Sequence, residues 1–377
     1  MNKAVFLMTY EMIVCFVVVA YVLNNNKRVH NRNKSHGKVT FKIYGFLLLS
    51  LTGACVLLWF AFPVVQGNYR TVFELFASKI KDNPYTYYDY VGVGSAERIG
   101  STLFEFLFSF IRILLPAYII QHIYYKHPDR TLGLFLCLIV IGLQFLFISG
   151  AVAYTLVTTL VLFIFTANMY TKHRTKLYAY VSIICVVFVV ALFSLKYAES
   201  TRYYGMNSMW EYLSQWFNSY FSGVDNVSAS FFLPAHNKMR SFLYTLYTTI
   251  PFRNTLFPLE GESIVTLFTG MSGLGGQIPS TIGIGNYYFT AIFAPIISAI
   301  TTYFSVQYSI RYELTANKWK KITYIYLALL MSQSVGMYNI VIVLTAFVQR
   351  IIPMLIISSF ASDEHENHNT DKIGAPI

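Results

Sequence analysis

The feature that most restricts this fold is a succession of apolar runs, each close to the length of a membrane crossing. They fall at 4–23, 43–65, 101–123, 131–149, 151–170, 177–195, 285–309, 322–337 and 340–360. An α-helix rises ~1.5 Å per residue, so about 20 residues span ~30 Å of hydrocarbon. No water is present there to satisfy backbone N–H and C=O groups, so each run must close its own hydrogen bonds as a helix. The expected fold is an all-α polytopic membrane protein with about nine transmembrane helices (8–10), one integral membrane domain over 1–377. Composition agrees: 55% of the 377 residues are hydrophobic and 12% are charged, against ~25% charged in soluble domains.

The net charge of +11 would suit nucleic acid, but the positions of the charges argue against that partner. Lys27, Arg28, Arg32, Lys34, Lys38 and Lys42 share one gap between apolar runs. Lys172, Arg174 and Lys176 share a second, and Arg311, Lys318, Lys320 and Lys321 a third. Basic residues gathered in alternate short loops follow the positive-inside rule. With the N-terminus outside, these gaps and the Lys126–Arg130 turn face the cytoplasm. The segments 67–100 and 196–284 are then extracytoplasmic loops. The Gly336-Met-Tyr-Asn339 break leaves two readings of the last runs, two helices or one long one, with opposite C-terminal orientations. The tail 363–377 is polar without apolar period and reads as disordered.

The first run lacks a strong basic n-region and a small-x-small site, and Asn24-Asn-Asn-Lys-Arg28 follows it. It reads as a membrane anchor with a stop-transfer flank, not as a cleavable signal. Cys15, Cys55, Cys137 and Cys185 each lie inside a run, where a thiol is a small hydrophobe. No CxxC motif and no disulfide framework is present. Nor is there an internal repeat of the kind that secondary transporters carry.

In the first outer loop, Thr71–Ile80 is amphipathic and reads either as an interfacial helix or as a cap on the bundle. The long loop opens with Tyr203, Tyr204, Trp210, Tyr212, Trp216, Phe217, Tyr220 and Phe221. Trp and Tyr anchor at headgroup level. Their faces also pack on pyranose rings while the phenol or indole keeps a polar handle. Both uses stand.

Intramembrane charge is the strongest chemical signal. Arg112 lies mid-run, about 16 Å from the run's start, too deep for its side chain to reach the surface. Its guanidinium needs a partner or a wet cavity. Glu105 stands two turns away on the same face, ~10 Å off and out of direct reach. Arg350 in the last run raises the same question. A structural ion pair of either arginine with Glu11 or Glu105 is the alternative to a functional site. In the long loop the fixed cations are Arg202, Arg240 and Arg253, and arginine suits diphosphate because it is always charged and binds bidentately. His236 stands four residues before Arg240 and can serve as a base toward a sugar hydroxyl. Glu262, Glu260 and Asp225 are rival bases. No cluster with metal-ligand spacing occurs in the loop. The glycine-rich stretch Gly270–Gly285 is neither a P-loop nor a Rossmann turn. It reads either as an anion-binding set of amides or as a flexible entry to the next helix.

Three stretches then resemble the Wzy-type oligosaccharide repeat-unit polymerases of capsule, exopolysaccharide and O-antigen pathways. They are Tyr220-Phe-Ser-Gly-Val-Asp-Asn-Val-Ser-Ala-Ser230, Gly276-Gln-Ile-Pro-Ser-Thr-Ile-Gly-Ile-Gly-Asn-Tyr-Tyr-Phe289 running into Ala294-Pro-Ile-Ile297, and Ile111-Arg-Ile-Leu-Leu-Pro116. The resemblance implies a GT-C-like plan with one large extracytoplasmic loop before the last three helices. It implies a multi-pass glycosyltransferase of the bacterial plasma membrane that needs no cofactor. Its substrates are polyprenyl-diphosphate-linked oligosaccharides, and its pathway partners a flippase and a chain-length regulator. Catalytic roles fall on Arg112, Arg202, Arg240 and Glu262 or His236, and substrate contacts on Tyr203, Tyr204, Trp210, Asp225, Asn226, Arg253, Gln277, Ser280 and Tyr287. Rival functions are a glycan ligase, which shares the large loop, and a lipid-linked oligosaccharide flippase, which predicts short loops.

Overall fold

The computed structural model describes residues 2–26, 38–39, 41–69, 94–128, 130–148, 152–175, 177–179, 181–183, 186, 208–220, 223–234, 238–253, 259–272, 279–315, 318–336, 340–360 and 363–364. The chain opens with α1 (Asn2–Asn26), α2 (Phe41–Ala61), the short α3 (Pro63–Gly67), α4 (Ser95–Lys126), α5 (Thr131–Gly142) with a 3₁₀ turn Leu143–Leu146, and α6 (Val152–Met169). The long loop contributes α7 (Met209–Tyr220), α8 (Val224–Ser230), α9 (Lys238–Tyr247) and α10 (Ile264–Ser272). After it come α11 (Thr281–Phe293), α12 (Ile296–Leu314), α13 (Lys318–Gly336), α14 (Ile340–Ala346), a π-turn Phe347–Ile351 and α15 (Ile352–Ser359).

The protein is a helical membrane protein. Among the described residues, four helices are long and apolar enough to cross a bilayer: Asn2–Asn25, Tyr44–Ala61, Ser95–Lys126 and Ile340–Ser359. The bent pair α11 and α12 makes up to five. The expected crossings at 131–149 and 151–170 appear as the shorter apolar helices Thr131–Leu146 and Tyr154–Met169. Helix α13 covers the 322–337 run but starts with Lys318, Lys320 and Lys321. Most of the 177–195 run and of the 67–100 loop, and residues 273–278 of the glycine-rich stretch, lie outside the described residues.

Helix α4 is the hub. Its 32 residues make it about 48 Å long, and α2, α5 and α6 all pack on it. One continuous core joins Tyr44 and Leu48 of α2, Phe110, Ile113 and Leu114 of α4, Val161 and Leu162 of α6, and Trp319 and Tyr326 of α13. At one end of this core the Trp319 ring lies 4.3 Å from Tyr44 and 5.8 Å from Tyr118. Helix α1 stands apart and packs on α12, α8 and α11, with Ala4 and Leu7 against Val227, Ile282 and Ala294.

The run expected as one helix over 285–309 is broken. Helices α11 and α12 meet at 105°. Two local features cause this: Thr290 takes φ 69°, ψ 169°, and Pro295 precedes α12. The chain folds back so tightly that a Cβ on Gly285 would run into the Ala294 carbonyl oxygen. Only glycine permits that approach.

The last two runs are separate helices side by side. Arg350 donates to the Tyr326 hydroxyl at 3.2 Å across 24 residues of sequence, which one long helix cannot do. Past α15, Asp363 and Glu364 pair antiparallel with Val39 and Lys38. The start of the tail therefore lies on the same face as the α1–α2 connection. The rest of 363–377 is outside the described residues.

Candidate functional site

Three helices deliver polar groups to one depth inside the core. Arg112 lies roughly 21 Å from the Lys126 end of α4, and Gln144 roughly 20 Å along the helix that starts at Thr131. The α5–α6 hairpin thus turns back at the level of Arg112, and Thr155 opens α6 beside it. Arg112 Nε donates to Gln144 Oε1 at 3.2 Å, and Nη2 to Thr155 Oγ1 at 3.3 Å. The guanidinium lies 5.5 Å from the Phe108 ring centroid and 5.2 Å from that of Tyr154. Arg112 is only 4% exposed. Pro116, one turn on, has no N–H to give the Arg112 carbonyl, which frees that oxygen as well.

Arg350 joins from the last crossing. It sits in the π-turn Phe347–Ile351, a geometry frequent at functional sites because it re-aims a side chain out of the helical register. Its Cζ lies 3.4 Å from the Tyr154 ring centroid. Tyr154 is itself anchored, donating to the Ser109 carbonyl at 2.5 Å. Two guanidiniums therefore approach one ring, and their like charges repel. Among the described residues, Arg112 is met by neutral oxygens and ring faces. Ring faces stabilise a desolvated cation by about 2 kcal/mol, and neutral acceptors do not cancel its charge. Of the five N–H donors of a guanidinium, Gln144 and Thr155 engage two of Arg112's among the described residues. An anionic oxygen would satisfy the remaining donors and offset the repulsion.

The alternative of a structural ion pair with Glu11 is not what forms. Glu11 is buried on α1 and takes its hydrogen bond from the Ser298 hydroxyl of α12, next to the α11–α12 break. Glu105 accepts from Asn68 Nδ2 at 3.5 Å, and the same amide donates to Ser101 Oγ at 3.3 Å.

The loop residues divide differently from expectation. Arg240 is exposed and donates to the Glu260 carbonyl at 3.5 Å. Arg253 donates to the Thr248 carbonyl and covers the Tyr247 ring at 5.8 Å. Neither joins the Arg112 cluster. Glu262 and Asp225 are exposed, Asp225 in the first turn of α8. Trp210 is exposed at the start of α7. Asn226, Ser280 and Tyr287 are buried and engaged in holding the loop to α11, and the physical reason is that each sits where a backbone group needs a partner. Asn226 Oδ1 accepts from Ser280 N at 2.9 Å, Ser280 Oγ caps α11 by accepting from Gly283 N at 3.1 Å, and Tyr287 donates to the Pro234 carbonyl at 2.8 Å. Arg202, Tyr203, Tyr204, His236 and Gln277 lie outside the described residues.

Sequence reasoning did not single out Tyr154, Gln144, Thr155 or Tyr326. Gln144 carried a signal, a lone amide inside an apolar run. The tyrosines carried none, because aromatics are abundant throughout the chain. No protein-family model, curated protein or solved structure matches the chain.

Proposed function

We propose that this protein polymerises polyprenyl-diphosphate-linked oligosaccharide repeat units at the outer face of the bacterial plasma membrane, in the manner of the Wzy-type polymerases. The observation that carries this reading is the pair Arg112 and Arg350 over Tyr154, a concentrated positive charge inside a membrane core. In the reaction an acceptor sugar hydroxyl attacks the anomeric carbon of the donor's reducing-end sugar. The new glycosidic bond forms as the bond from that carbon to the diphosphate oxygen breaks. The hydroxyl proton passes to a base, for which His236 and Glu262 remain the candidates, and polyprenyl diphosphate leaves with its negative charge. Fixed cations aimed at that charge lower the barrier without reorganising during the step. Arg112 and Arg350 are suited to that task, and Arg202 and Arg240 to steering the anionic substrate at the outer surface.

The test is deletion of the gene followed by analysis of lipid-linked glycan, with complementation by Arg112→Gln and Arg350→Gln. A polymerase leaves single repeat units on the outer leaflet, and neither variant restores long chains. Repeat units stranded on the inner leaflet would instead identify a flippase. Long chains retained on the lipid would identify a ligase.

A further inference from the structure

Helix α9 is amphipathic in the inverted sense. Ser241 and Thr245 of α9, and Thr249 in the turn that follows it, recur every four residues and are buried. Met239 and Leu243 lie on the opposite side of the helix, roughly 120–160° from Ser241 and Thr245 by helical rotation, and Ile250 follows in the turn; they are 71%, 58% and 45% exposed. A helix lying on a protein surface in water turns its apolar stripe inward and its hydroxyls outward. Here the hydroxyl face packs on protein and every member finds a partner. Ser241 and Thr245 meet the Tyr288 hydroxyl at 3.2 and 3.3 Å, Thr245 also accepts from Ile264 N at 3.0 Å, and Thr249 donates to the Leu246 carbonyl at 2.7 Å. Such complete internal satisfaction is what an element away from water requires.

The depth of the segment agrees. Helix α9 packs against α14, the opening of the Ile340–Ser359 crossing. That crossing is about 30 Å long and has no length to spare outside the hydrocarbon. Beyond α9, the Phe252 ring lies 6.0 Å from Phe106, well inside α4. At the other end Lys238 and Arg240 are exposed, at the position where long cationic side chains reach headgroup phosphates. Arg253, at the deep end, is turned inward to the Thr248 carbonyl and the Tyr247 ring.

We infer that α9 and the turn through Phe252 are not part of a water-filled outer loop but are inserted in the bilayer leaflet, with Met239, Leu243 and Ile250 against lipid acyl chains and Lys238 and Arg240 at the headgroups. The crossing on which α9 packs also exposes apolar side chains, Ile352 and Ile356, further along its length. The segment 196–284 is then partly membrane rather than wholly extracytoplasmic, and this holds whatever the protein's activity.

The test uses the full-length protein, with its native cysteines replaced, in liposomes of neutral and anionic phospholipid. Nitroxide labels are placed singly through Leu243→Cys, Ile250→Cys and, as an aqueous control, Arg130→Cys in the exposed basic turn after α4. All three positions are surface positions, so folding is not at stake. The expected result is that labels at 243 and 250 collide several-fold more often with dissolved oxygen than with a water-soluble nickel reagent, and that the control shows the reverse. Equal nickel collisions at all three positions would overturn the inference. So would protection of 243 and 250 from both reagents, which would mean that protein, a second copy or a partner, covers the stripe.

Discussion

The Arg350 guanidinium carbon lies 3.4 Å from the centre of the Tyr154 ring, and Arg112 approaches the same ring at 5.2 Å. One tyrosine ring thus meets both the charge of the central helix and that of the last crossing. Tyr154→Phe keeps the ring face and loses the bond to the Ser109 carbonyl, at a cost of about 1 kcal/mol. Tyr154→Leu removes the face from both cations, at about 1–2 kcal/mol for each. Thermal unfolding in detergent should rank wild type above Phe above Leu. Equal losses for the two variants would mean that the ring face contributes nothing.

Gln144 accepts from a guanidinium N–H in a place without bulk water. Gln144→Leu leaves that donor unpaired, which costs about 1–3 kcal/mol. Gln144→Glu introduces a carboxylate beside Arg112. On the proposed role it competes with an anionic substrate, so it should raise the unfolding temperature while shortening the glycan made in cells. Stabilisation with unchanged chain length would remove Arg112 from the site.

Arg112→Lys and Arg350→Lys keep the charge but lose the planar fork that grips diphosphate oxygens in pairs. Both should reduce long-chain product at least about tenfold, which corresponds to ~1.4 kcal/mol, with protein level unchanged. Chain-length distribution on a gel with matched immunoblots reads this directly. Full activity in both variants would leave only a structural role for the pair.

Gly285→Ala sets a methyl against the Ala294 carbonyl, where backbone on both sides must move. It should lower the yield of folded protein sharply. Gly53→Ala, whose added methyl meets nothing within 4 Å, serves as control and should be neutral or stabilising by up to about 1 kcal/mol. Thr290→Gly should stabilise, because a β-branched residue at φ 69° costs on the order of 1–3 kcal/mol. A destabilised Thr290→Gly would show that the threonine side chain itself holds the break.

The sequence by itself determined that this chain is helical and built for a membrane, because in hydrocarbon the length of an apolar run and the need to satisfy backbone groups leave no other form. It also marked Arg112 and Arg350 as residues that need company, since a charge in an apolar run is costly wherever its helix packs. Only the tertiary structure decided what that company is. Arg112 and Arg350 are separated by most of the chain, and no local rule brings them to Tyr154. The break at Thr290 and Pro295, the hairpin through Tyr326 and Arg350, and the outward turn of Leu243 were equally hidden. Apolar periodicity tells a helix which face avoids water, but in a membrane both lipid and protein answer that description, and only packing chooses between them.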